Sequence, residues 1–180
     1  RRDPALQLMR RALARGARDA AAIRAADIPL DRAFRAACEQ NACGYFGRCW
    51  ACPPDAGGID ELILRLNGYD RAVVFRTVRP LADAYDAEGM RAAAVAHNRL
   101  VRRIQKSAAR RFPDCLALGA GGCHGCKACA KPEGLPCRHP DRQLLSLEAC
   151  GISVAELAAR CGLPYGAGKD TVTYFGIVLF

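Results

Sequence analysis

The stretch Arg71-Ala72-Val73-Val74-Phe75-Arg76-Thr77-Val78-Arg79 decides the fold class. Its β-branched and aromatic residues favour a pleated strand. Val73, Phe75 and Thr77 alternate with Val74, Arg76 and Val78, and alternation sends the two sets to opposite faces. Both sets are largely apolar, so the pattern predicts a strand buried at least partly on both faces. The next segment has a different period. Met90, Ala93, Ala94, His97, Leu100, Val101, Ile104 and Ala108 recur at spacings of three and four. They form the apolar stripe of a long helix over 88–112. Arg91, Arg99, Arg102, Arg103, Arg110 and Arg111 fill much of the remainder, and Pro113 ends the helix.

Outward from this pair, residues 171–180 alternate Val172, Tyr174, Gly176, Val178 and Phe180 against Thr173, Phe175, Ile177 and Leu179, a further strand. Residues 115–120 form a third strand candidate. Upstream, Leu6, Met9, Leu13 and Ala17 sit near helical spacing, which predicts a helix over 3–25 weakened at Gly16. Pro29 breaks it, and Asp31 caps a second helix to about Cys38. Short helices are expected at 60–67, closed by Gly68, and at 143–150. Another is expected at 153–161, where Ser153 and Glu156 form a capping box. The order is α+β rather than a regular α/β repeat. We expect a small, mainly antiparallel sheet of about three strands packed with about five helices. Residues 1–180 read as a single domain, with Cys-rich loops at 38–54 and 121–140 forming its metal-binding part.

Composition narrows the function classes. The chain has 180 residues, is 51% hydrophobic and contains eleven cysteines. A chain of that size needs no disulfide staples. Its opening, Arg1-Arg2-Asp3-Pro4, leads into no apolar run, and the longest apolar stretches are too short to span a bilayer. A reducing, cytoplasmic compartment is therefore expected, where clustered cysteines point to metal. The formal charge is +9. The Arg residues are spread along helices, so nucleic acid ranks below a solvated helix face and below an acidic protein partner such as a ferredoxin or flavodoxin.

Eight cysteines fall into two sets. Cys123, Cys126 and Cys129 step evenly as Cys-x-x-Cys-x-x-Cys, and Cys137 follows. Three thiolates so spaced wrap one face of a cubane, and a remote fourth closes the site. Gly121, Gly122 and Gly125 let the backbone bend closely around it. Cys38, Cys43, Cys49 and Cys52 form the other set, with Pro53 and Pro54 at its exit and Tyr45, Phe46 and Trp50 inside it. Zinc is the alternative at both sets, with His124 and His139 near the second. Cys115 and Cys161 read as buried structural residues. Cys150 is a spare ligand, a reactive thiol or a core residue.

Asn41-Ala42-Cys43-Gly44-Tyr45-Phe46-Gly47-Arg48-Cys49-Trp50-Ala51-Cys52-Pro53-Pro54 resembles the first motif of an uncharacterised family known only as predicted metal-binding proteins, widespread in anaerobic bacteria and archaea. Gly122-Cys123-His124-Gly125-Cys126-Lys127-Ala128-Cys129 and Leu135-Pro136-Cys137-Arg138-His139-Pro140 are similar to its second motif. The likeness extends to Leu147-Glu148-Ala149-Cys150-Gly151-Ile152 and to 173–179, and it covers nearly all of the chain after about residue 15. It implies metal binding through the Cys-rich motifs and no established reaction.

Three functional readings follow. The first is an iron–sulfur protein with two 4Fe–4S clusters, one on Cys38, Cys43, Cys49 and Cys52 and one on Cys123, Cys126, Cys129 and Cys137. It would act in electron transfer or as a small reductase subunit. The second is a cluster-dependent enzyme with an open iron or a reactive Cys150, for sulfur or corrinoid chemistry. The third is a zinc-stabilised binding module presenting the basic helix. There is no phosphate loop, dinucleotide fingerprint or Ser/His/Asp arrangement to support other chemistry.

Overall fold

A computed structural model describes residues 3–180; Arg1 and Arg2 of the polar opening lie outside the described residues. Helix α1 (Pro4–Ala14) leads to strand β1 (Asp19–Arg24). Helices α2 (Ala33–Glu39) and α3 (Ile59–Asn67) follow, then strand β2 (Arg71–Pro80) and the long helix α4 (Ala87–Ala109). Strand β3 (Leu116–Leu118), helix α5 (Val154–Arg160) and strand β4 (Thr171–Leu179) complete the order. The four strands form one antiparallel sheet in the order β1-β2-β4-β3. Among the described residues the architecture is α+β with five α-helices.

The sheet is sandwiched, which explains the apolar residues on both faces of β2 and β4. Val73 and Phe75 of β2 and Val178 of β4 meet Leu8 of α1 and Leu100, Val101 and Ile104 of α4. Ala72 and Val74 of β2 and Phe175, Ile177 and Leu179 of β4 face the other way. They pack with Leu66 of α3, Leu157 of α5 and the 147–152 segment.

Three expectations are corrected. The sheet has four strands rather than about three, and the expected 3–25 helix stops at Ala14. Gly16 ends it, at φ +104°: its N–H donates to Leu13 O, and the Ala17 N–H donates to Ala12 O. This is a Schellman closure, which needs a residue in the left-handed region. The Ala run 20–22 then forms β1 because β2 offers it a partner, with Asp19 opposite Arg76 and Ile23 opposite Ala72. Asp19 accepts from Arg76 Nε at 2.6 Å, which pairs a nearly buried guanidinium. Tertiary pairing overrides the helical propensity of alanine here.

The expected 143–150 helix survives only as the 3-10 turn Glu148–Cys150. Before it, the chain runs beside the end of β3: Gly119 N–H donates to Leu145 O at 2.8 Å and Leu147 N–H to Gly119 O at 3.1 Å. Those backbone bonds are incompatible with a helix through Leu145.

His97 sits between α4 and the sheet, 1% exposed. Its Nδ1 lies 2.8 Å from Thr77 Oγ1 of β2, and its Nε2 is buried without a hydrogen-bond partner among the described residues. Burial lowers its pKa from the usual 6.5 to about 4. The folded state thus keeps the ring neutral while the unfolded chain protonates it below 6.5. Stability is fully present above pH 6.5 and falls as pH drops from there to about 4. The slope contributed is up to about 1.4 kcal/mol per pH unit. Denaturant unfolding at pH 7 and pH 5 should show this loss in the wild type and a smaller loss in His97→Gln.

Candidate metal centre

Both Cys-rich loops lie alongside α4, the second held at mid-helix by Asn98 and Arg102. The first joins α2 to α3, and the second follows β3. All eleven cysteines are free thiols. The loops are stitched to each other by side chains. Tyr45 Oη lies 2.9 Å from His124 Nε2. Trp50 Nε1 donates to Leu135 O at 2.9 Å. Lys131 bridges to Asp55 at 2.5 Å and stands 4.0 Å above the Trp50 ring centre. Gly122 permits this closure: a Cβ there would meet the Tyr45 ring at 2.7 Å.

Asn98 of α4 organises the start of the second loop. Its Nδ2 donates to Ala120 O and Gly122 O, each at 2.9 Å, and lies 3.0 Å from His124 Nδ1. Its Oδ1 accepts from the Ala120 N–H at 3.0 Å. Both nitrogens of His124 are thereby engaged, by Asn98 and by Tyr45, which makes it a brace of the loop. Burial, then Arg102 and Arg91, lower its pKa, so the ring is neutral at pH 7. Arg102, one turn after Asn98, donates to Cys123 O, and its Nη2 lies 3.3 Å from the Cys123 Sγ.

The eight candidate ligands line two adjoining cavities, and their division does not follow chain order. The first cavity, about 250 Å³, is lined by Cys123, Cys126, Cys129, Cys137 and also Cys49. Arg48, Lys127, His139 and Arg142 stand around it. The second, about 220 Å³, is lined by Cys38, Cys43 and Cys52, with Ser146 and Glu148. Cys49 and Cys52 are 3% and 7% exposed and lie on the shared wall. The Cys52 thiol, hydrogen-bonded to Cys49, lowers the Cys49 pKa, helped by the Cys123 and Ala51 backbone and the Cys129 thiol. Cys52 is raised by the same bond and by burial. Cys49 is thereby the more acidic thiol of the pair. Among the described residues, no group of three or more His, Cys, Asp or Glu side chains is placed to hold a single metal ion; the thiols stand around cavities.

The remaining cysteines are elsewhere. Cys150 lines neither cavity. It is 1% exposed, in the core beside Leu147 and Ile152. Burial pushes its thiol up to about 12, so it is protonated and a poor nucleophile at neutral pH. Cys115 is buried, and Cys161 packs against the core with its thiol pushed up to about 11 by burial.

An α+β scaffold that gathers eight thiols at two adjoining cavities defines a cysteine-rich protein with a candidate metal centre. The chain belongs to the family described as predicted metal-binding protein (DUF2284), whose model matches residues 21–180. No curated protein and no solved structure compared with it matches.

Sequence reading missed Asn98 and Arg102, because a polar residue on a basic helix carries no sign of what it will touch. The one available signal was that Asn98 neighbours the apolar stripe yet is polar. Asn98→Ala leaves the Ala120 and Gly122 backbone groups unpaired. It should cost at least about 2 kcal/mol in denaturant unfolding, with the metal content falling as the 120–124 backbone loosens.

Proposed function

We propose that this protein is an iron–sulfur protein with two 4Fe–4S clusters, acting as an electron carrier or small reductase subunit. The observation that carries the reading is the thiol-lined cavity of about 250 Å³ around Cys49, Cys123, Cys126, Cys129 and Cys137. A zinc ion draws four ligands to about 2.3 Å and needs them to meet at a point. Thiols spread around a cavity suit a polynuclear group, whose metals each reach outward to a separate cysteine. Such clusters supply one-electron transfer when bound.

The chain's own groups fit that role. Cys123, Cys126, Cys129 and Cys137 would hold the first cluster, with Cys49 a fifth thiol at its wall. Cys38, Cys43 and Cys52 would serve the second. A cluster on four thiolates carries about −2 when oxidised. Arg48, Lys127 and Arg142 around the first cavity, and Arg102 beside Cys123, offset such a charge. Tyr45 and Trp50 cover the cavity and limit water, which tunes a potential.

Folding also gathers the dispersed arginines. Arg91, Arg99, Arg102 and Lys106 share one side of α4 and line an open groove of about 1020 Å³ with Lys127 and Arg142, against Asp141. The groove meets the first cavity at Cys126. An acidic redox protein seated there would place its own centre near the cluster, steered by charge.

Anaerobically purified protein should be brown and contain about eight iron and eight sulfide per chain, with EPR signals on reduction. Stoichiometric zinc in colourless protein, with no iron, would instead support the structural zinc module and refute this reading. The groove makes a separate prediction. Electron delivery from an acidic ferredoxin should slow steeply with ionic strength, and Arg99→Glu with Lys106→Glu should slow it roughly tenfold or more at low salt.

A further inference from the structure

The second cavity has fewer sulfurs than a cubane requires. A 4Fe–4S cluster has four irons, each taking one ligand from outside. Cys38, Cys43 and Cys52 line the cavity, and its remaining polar lining is Ser146 and Glu148. The sulfurs nearby are committed elsewhere. Cys49 lines the first cavity, its thiol beside Cys129 and the Cys123 backbone as well as Cys52 on the shared wall. Cys150 lies two residues beyond Glu148, but its side chain is in the apolar core. Histidines are absent from the lining, which consists of described residues.

Glu148, by contrast, is presented to the cavity on a fixed turn. The turn Glu148–Cys150 closes on Gly151 at φ +75°. Ser146 Oγ accepts from the Ala149 N–H at 3.1 Å, and Arg35 Nη1 donates to Ala149 O at 3.0 Å. A Cβ at Gly151 would stand 3.0 Å from the Asp31 carbonyl oxygen, so the turn is fitted against the segment leading to α2. The site is therefore built from three thiols on one loop and one carboxylate from the far side of the second.

We infer that this cavity is a three-thiolate cluster site, whose fourth metal position faces Glu148 and is open to exchange with a small soft donor such as a thiolate or cyanide. The inference rests on the iron–sulfur reading. Phe46 and Pro53 wall the cavity, and the apolar wall restricts that donor to a few atoms. Iron in such a cluster favours soft ligands, so an exogenous sulfur or carbon donor displaces an oxygen ligand from this position.

Controlled oxidation of the anaerobic protein tests it. An iron lacking a thiolate leaves first: one Fe²⁺ departs, one electron passes to ferricyanide, and a three-iron cluster remains. Wild type should lose about one iron in eight and develop a three-iron EPR signal, while the other cluster stays intact. Cyanide should shift the reduced spectrum of one cluster only. Cys49→Ser should leave the ferricyanide signal in place, and Glu148→Gln should change its rate of appearance or the cyanide-free line shape at unchanged starting iron. Retention of all iron until both clusters collapse together would overturn the inference, as would a three-iron signal that emerges only in Cys49→Ser. Absence of iron in the starting protein would refute the iron–sulfur reading itself. Full iron with no exchangeable position refutes this inference alone.

Discussion

One side chain, Asn98, ties the second Cys-rich loop to the core. It lies on α4 between the residues that face the sheet and those that face the basic groove. Its amide spans two backbone carbonyls, one backbone N–H and a histidine of the second loop. The preceding residue, His97, meets Thr77 of β2. Consecutive residues of one helix therefore anchor that helix to the sheet and the loop to the helix. Gly119 makes room for the arrangement, since a Cβ there would fall 2.3 Å from Asn98 Oδ1. A buried polar fan of this kind is costly when incomplete and specific when complete.

From that anchor the loops assemble by mutual support. The second loop is held by Asn98 and Arg102, and the first is held largely by the second, through Tyr45, Trp50 and Lys131. Helix α2, which carries Cys38, buries none of its own residues. Its placement depends on Arg35, which reaches Ala149 O and Gly57 O, and on the bond from Asp31 N–H to Gly151 O. The cavities are thus a property of the joined loops. This is why their membership crosses the sequence sets, with Cys49 on the wall of the cavity lined by Cys123 to Cys137.

The fold was legible where a residue's period matches its burial. The two-faced strand at 71–79 and the stripe from Met90 to Ala108 both took the positions their spacing implied. It was illegible where a partner decides. Asp19 to Arg24 reads as helix locally and becomes a strand only because β2 pairs with it. Residues 143–147 likewise follow the edge of β3. At the site, the sequence indicated the cysteines as ligand candidates by their density and spacing. It carried no information on which cavity each thiol faces: Cys49 belongs to the first set by spacing and lines the cavity of the second. The arginines present the same problem in reverse. They are scattered in the chain and gathered in space, because positions 91, 99, 102 and 106 fall on one side of a helix.

The turn Cys49-Trp50-Ala51-Cys52 has a consequence of its own. The Cys52 N–H donates to Cys49 O at 2.9 Å, so the four residues form a closed unit. Cys49 faces one cavity and Cys52 the other. The two chambers are therefore spaced by a short hydrogen-bonded bend of backbone in which Cys49, Ala51 and Cys52 are buried. Groups seated in the two chambers would face each other across this one turn, with Cys49 against one and Cys52 against the other.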